Sequence, residues 1–169
     1  MRLLSTCYVL LTLLLCSCST TTVYIVRHAE KVDESDSTDL SPAGRQRALA
    51  LADMLANRGI DSIFTTPYRR TRQTAEPLAK RINVRSVDYA LKPLEAITSR
   101  VSRTQNKTVL VVGHSNTILE IAKGLGAKPT LTKIESGDFD NLLQVRIHRR
   151  PFGKSVDLSQ TTYGLITPP

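Results

Sequence analysis

The chain has 169 residues, 41% of them hydrophobic, which supports one domain of ordinary size whose core needs neither disulfides nor a structural metal. Aromatic residues make up 5% and tryptophan is absent, which argues against a stacking surface for single-stranded nucleic acid. The net charge of +8 suits a basic surface beside an anionic membrane, and with no nucleic-acid-binding motif accompanying it no nucleic-acid partner is expected.

The first residues are expected to stand outside the fold. Arg2 followed by the apolar run Tyr8-Val-Leu-Leu-Thr-Leu-Leu-Leu15 has the form of a signal peptide. The run falls far short of the roughly 20 residues that a membrane-spanning helix needs. Leu15-Cys16-Ser17-Cys18 resembles a bacterial lipobox, and Cys18 suits it better than Cys16, which follows the bulky Leu15. That resemblance implies a lipoprotein-type signal peptide over residues 1–17 and a mature domain over 18–169. It also implies a protein of the bacterial cell envelope, held to the membrane by lipid on Cys18. Ser19, standing where Asp does not, favours the outer membrane and its periplasmic face. The alternative is an ordinary cleaved signal with incidental cysteines. All three cysteines (Cys7, Cys16, Cys18) fall in this segment, so the exported domain has none to pair.

Short β-branched runs then alternate with helical patterns. Val23-Tyr-Ile-Val26 reads as a buried strand and as the start of the fold. Ser41-Pro42 is a helix start, Ser41 as N-cap and Pro42 at the first helical position. Ala48, Leu51, Ala52 and Leu55 recur at helical spacing, and Gly59 can end that helix. Ser62–Thr65 reads as a second strand and 68–81 as a helix strained near Pro77. Val84–Val87 is a third strand, 93–104 a helix, Thr108–Val112 a fourth strand, and Ser115 to Lys123 a helix. Leu142–Ile147 and Ser155–Leu158 form a hairpin around Pro151-Phe-Gly153. This order predicts a three-layer α/β fold, a mainly parallel sheet flanked by helices with a C-terminal β-hairpin.

In open parallel sheets, ligands sit beyond the carboxyl ends of the strands. His28 ends the first strand and His114 the fourth, while His148, the remaining histidine, lies in the hairpin. An isolated pair of this kind is as readily structural as catalytic.

The surrounding residues decide between these. Arg27-His28-Ala29-Glu30-Lys31 resembles the opening motif of the histidine phosphatase (phosphoglycerate mutase-like) superfamily. Leu40-Ser-Pro-Ala-Gly44-Arg-Gln-Arg-Ala48 is similar to the family's next segment, and Thr65-Thr-Pro-Tyr-Arg-Arg70-Thr-Arg-Gln73-Thr74-Ala75 to its second-arginine motif. Val111-Val-Gly113-His114-Ser115-Asn116 is similar to the segment carrying its second histidine. The four occur in family order across roughly residues 22–124. The likeness is to the small phosphohistidine-phosphatase branch and implies a phosphatase working through a phosphohistidine on His28. Its substrate would be a small phosphorylated compound, whether phosphomonoester, phosphoanhydride or phosphohistidine, or else a phosphoprotein. No cofactor or metal is implied.

The chemistry accounts for the residue types. Phosphoryl transfer rests on positioning and charge stabilisation, and the permanently charged fork of arginine grips phosphate oxygens in pairs. Arg27 and Arg70 are assigned that role. Arg70 is preferred to Arg69 and Arg72 because the family arginine stands three residues before Gln-Thr-Ala. His28 must be neutral to attack, and neighbouring cations favour that form. His114 would hydrogen-bond the transferring group, with Ser115 and Asn116 opening the next helix beneath it.

One family feature is missing. Where related sequences carry an acid just after the tyrosine equivalent to Tyr89, this chain has Ala90. Asp88, Glu95 and Glu30 remain candidates, or there is no acid. Without one, poor leaving groups should be slow. The gap also leaves a second reading open, a non-catalytic anion-binding envelope lipoprotein. The acidic run 33–39 reads as a solvated loop.

Overall fold

The computed structural model describes residues 18–168; the expected signal peptide lies outside the described residues. Strand β1 (Ser19–Arg27) starts four residues earlier than Val23, so Cys18 immediately precedes it. The remaining elements are α1 (Pro42–Leu55), β2 (Ile60–Thr65), α2 (Arg69–Arg81), β3 (Ser86–Asp88) and α3 (Leu94–Ser102). They are followed by β4 (Thr108–Gly113), α4 (Ile118–Gly124), β5 (Asn141–Arg150) and β6 (Gly153–Thr162).

The sheet order is β3-β2-β4-β1-β5-β6. The four strands from β3 to β1 run parallel, and the β5–β6 hairpin is added antiparallel along β1. Alternation along the strands creates a core on each face. Val23 and Ile25 of β1, with Val109 and Val111 of β4, pack beneath Ile97 and Val101 of α3 and Ile118 and Ile121 of α4. Tyr24, Val26, Leu110 and Val112 turn the other way, onto Leu51 and Leu55 of α1 and Ala75 and Leu78 of α2. The result is a three-layer α/β fold of the expected kind, with a central strand buried on both faces.

Helix α1 begins as its sequence requires, with the Ser41 hydroxyl accepting from the Gly44 N–H at 3.1 Å and Pro42 in the first turn. Gly44 is needed for a close approach, because a Cβ there would stand 2.1 Å from the Glu30 carbonyl oxygen. The first turn of α1 is thereby seated directly on the segment that follows His28. Pro77 lies inside α2, which nevertheless continues to Arg81.

One expected boundary is corrected. Ser115 and Asn116 lie in a turn and α4 begins at Ile118. The His114 N–H donates to the Thr117 hydroxyl at 2.9 Å, and the amides of Thr117 and Ile118 return to the His114 carbonyl. This local pairing takes up the residues that would otherwise start the helix. Ser115 and Asn116 therefore offer no helix N-terminus.

Candidate active site

Arg27 of β1 pairs with Gly113 of β4, so the next residues, His28 and His114, leave adjacent strand ends together. Their ring centroids are 5.3 Å apart, inclined at 68°, and both side chains are buried. They open into a cleft of about 420 Å³ that is also lined by Arg27, Arg70, Tyr68, Leu91 and Ser136. Lys31, Glu34, Asp36, Ser115 and Asn116 complete its walls and rim.

The Nδ1 of His28 lies 2.8 Å from the Ala29 carbonyl oxygen. A carbonyl can only accept, so Nδ1 carries the proton and Nε2 keeps a free lone pair. Burial, with Arg27, His114 and Arg70 close by, lowers the His28 pKa to about 3 despite the opposing pull of that carbonyl. His114 is lowered to about 4, chiefly by burial and then by Arg70 and Arg27. Both rings are neutral near pH 7.

Threonines hold these rings. The Ala29 N–H donates to the Thr74 hydroxyl at 2.9 Å, and that hydroxyl donates to the Arg70 carbonyl at 2.7 Å. His114 Nε2 meets the Thr66 hydroxyl at 2.9 Å, which meets the Thr71 hydroxyl at 2.9 Å. Tyr68 stands edge-on to His114, centroids 5.4 Å apart.

The two arginines are differently employed. Arg27 Nη1 donates to the carbonyls of Glu135, Ser136 and Asp138 at 2.8, 3.0 and 2.8 Å, and its guanidinium lies 4.0 Å over the Phe139 ring. Part of its capacity therefore fastens the loop before β5, a connection that sequence reasoning missed and that no motif in 125–140 signals. Arg70 sits 4.4 Å over Tyr68 and donates to the Asp36 carbonyl at 3.1 Å. In both residues Nε–H is buried without a protein partner. Such donors cost roughly 1–3 kcal/mol each unless an acceptor satisfies them. Arg69 and Arg72, by contrast, pair with Asp39 and Asp88 and do not line the cleft.

None of the candidate acids lines the cleft. Asp88 is bound by Arg72 and by the Thr65 hydroxyl, and the Arg72 hydrogen bond holds its carboxyl below the usual range. Glu30 is bound in bidentate fashion by Arg47 at 2.8–3.0 Å. Glu95 is exposed on α3. The acidic run forms the expected solvated loop, and Glu34 and Asp36 within it reach the cleft rim, where they face Lys31 and Arg70. His148 bridges Asp157 in the hairpin, away from the cleft. Among the described residues no group of His, Cys, Asp and Glu has the makings of a metal site.

The arrangement joins a neutral, oriented imidazole with a second one beside it and two guanidinium groups, at the carboxyl ends of a parallel sheet. Residues 23–93 match the family model described as histidine phosphatase superfamily (branch 1). That match spans 71 residues, somewhat under half of the chain. The uncharacterized protein Rv0525 of Mycobacterium tuberculosis is 35% identical over 68 residues, which cover 36% of this chain and 34% of that protein. The chain thus matches about a third of that relative's length. SixA of Nakamurella multipartitia, described provisionally as a phosphohistidine phosphatase, shares the fold with a TM-score of 0.60 at 19% identity, over 87% of this chain and 96% of that one. The mycobacterial glucosyl-3-phosphoglycerate phosphatase Rv2419c gives 0.60 at 14% identity, over 83% and 97%. At such identities the likeness to these structures is one of fold.

Proposed function

We propose that the chain is a hydrolase that removes a phosphoryl group from a small phosphorylated substrate or a phosphoprotein, by way of His28. The observation that carries this reading is the pairing of two neutral imidazoles 5.3 Å apart in a cleft walled by Arg27 and Arg70. Nε2 of His28 attacks phosphorus, the N–P bond forms, and the P–O or P–N bond to the leaving group breaks. Water then attacks the phosphohistidine and releases inorganic phosphate, dividing one difficult step into two. Arg70, the free part of Arg27 and His114 balance the charge on the transferring oxygens.

The leaving group sets the preference. Glu34 and Asp36, the carboxylates at the cleft, are paired with Lys31 and Arg70, and none of Asp88, Glu95 and Glu30 lines it. Phosphoanhydrides, aryl phosphates and phosphohistidine need least protonation and are the favoured substrates. Phosphate release from an aryl phosphate should exceed that from a simple alkyl phosphate by at least about 100-fold, in line with the worth of a general acid. Equal rates would contradict the preference. Reversible phosphate binding with no release from any substrate class would favour the second reading, an anion-binding protein without turnover, which rests on the same lack of an acid.

The placement in the cell is likewise proposed. A lipid on Cys18, exposed directly before β1, would hold the domain against the envelope membrane, with the outer membrane favoured by Ser19. Among the described residues no helix is long and apolar enough to cross a membrane.

A further inference from the structure

The end of the sheet remote from the histidines carries a second surface. β1 starts there at Ser19 and reaches the cleft at Arg27, eight residues later, a span of about 27 Å. Ser19 stands opposite Arg149 of β5, which brings Cys18 beside the turn between β5 and β6. Cys18 and residues 150–155 line a shallow hollow of about 480 Å³ there.

At the tip of that turn Phe152 is 96% exposed, more than any other large hydrophobic residue described. A benzyl side chain so placed contributes nothing to the core, and the turn does not require one. Its neighbours are cationic. Arg150 and Lys154 are exposed on either side of it, and Arg103 is exposed in the adjoining loop before β4. That loop is tied to β1 by the Thr20 N–H, which donates to Asn106 at 3.1 Å. Of the nearby acids, Asp61 is paired with Lys107 at 2.8 Å, and Asp157 lies 3.1 Å from His148. A protruding aromatic ring among exposed cations is the composition of an interfacial anchor, with the ring at the acyl boundary and the cations among anionic headgroups.

We propose that the β5–β6 turn is a membrane-docking tip for an anionic bilayer, with Phe152 seated in the interface and Arg150 and Lys154 against the headgroups. The catalytic cleft then faces away from the bilayer, at the opposite end of the sheet, open to substrates in the aqueous compartment. This deepens the reading of Cys18 as a lipid attachment residue, and the two are tested separately.

The chain lacks tryptophan, so Phe152→Trp introduces a sole indole, read apart from the five tyrosines by selective excitation. The full-length variant is placed on vesicles of phosphatidylethanolamine and phosphatidylglycerol with brominated acyl chains. Ile166→Trp is compared in the same way, because Ile166 is 85% exposed but lies by Asp140, at the cleft end of β5. Emission from position 152 should shift to the blue and be quenched, while emission from 166 stays unchanged. Arg150→Glu with Lys154→Glu should reduce the quenching at 152, as should replacing phosphatidylglycerol by phosphatidylcholine. A vesicle-bound protein with unquenched emission at 152, quenching at 166 instead, or no vesicle association would each overturn the proposal. Mass analysis of Cys18 keeps the two readings apart. An acylated chain with an unquenched tip defeats the docking surface alone, and quenching at 152 without acylation defeats the anchor alone.

Discussion

The free lone pair of His28 depends on a backbone carbonyl and, behind it, on a threonine. The Ala29 oxygen takes the Nδ1 proton, and the Ala29 amide is in turn fixed by Thr74 on α2. His114 depends similarly on Thr66, itself steadied by Thr71. Thr66→Val leaves His114 Nε2 without its partner in a buried site. Turnover on an aryl phosphate should then fall by roughly 10-fold, the equivalent of one lost hydrogen bond, while the protein stays folded. Unchanged kcat would show that the hydroxyl merely packs. The histidines and arginines were legible in the sequence because each sits in a short motif at a strand end. The threonines were not given a role, although Thr74 lies within the Gln73-Thr74-Ala75 stretch that singled out Arg70. Nothing local to the sequence says that a hydroxyl on a helix will meet an amide 45 residues away.

At the scale of elements, α1 does more than cover the sheet. Arg47, with its side chain 3% exposed, grips the Glu30 carboxylate and donates to the carbonyls of Tyr163 and Leu165 at 2.8 Å each. One guanidinium thus joins α1, the segment after His28 and the C-terminal tail. Arg47→Leu removes one partner of a largely buried pair and should cost about 3 kcal/mol of stability. Denaturant unfolding checks this, and an unchanged midpoint would show that the clamp is dispensable. The sequence offered Glu30 as an acid beside the nucleophile, whereas its oxygens belong to this clamp. Element order was legible because alternation along β1 and β4 and the Ser41-Pro42 cap are local signals. The start of α4 was not, because the Thr117 side chain captures the His114 amide and keeps Ser115 and Asn116 out of the helix.

Two buried neutral histidines impose an acid limit on the whole molecule. Their folded pKa values, about 3 for His28 and about 4 for His114, lie below the ordinary value of 6.5. As pH falls below 6.5 the unfolded chain takes up protons that the folded chain refuses, so stability is lost on acidification. The slope approaches about 1.4 kcal/mol per pH unit for each histidine until the folded pKa is reached. Asp61 and Asp88, held low mainly by hydrogen bonds from Lys107 and Arg72 respectively, add to the loss only below their ordinary value of 3.8. Thermal melts should therefore decline between pH 6.5 and 5, well above the carboxylate range, and His28→Ala with His114→Ala should flatten that decline. A melting temperature that holds steady down to pH 4 would contradict the protonation states on which the proposed attack by His28 depends.

The most direct measurement is a search for the covalent phosphoenzyme. The full chain is mixed briefly with a radiolabelled aryl phosphate, denatured at alkaline pH, and the labelled peptide is identified. A burst of label on the peptide containing His28, stable to alkali, lost in acid and absent from His28→Ala, is the predicted result. Turnover without covalent label, or label that persists in His28→Ala, would contradict it.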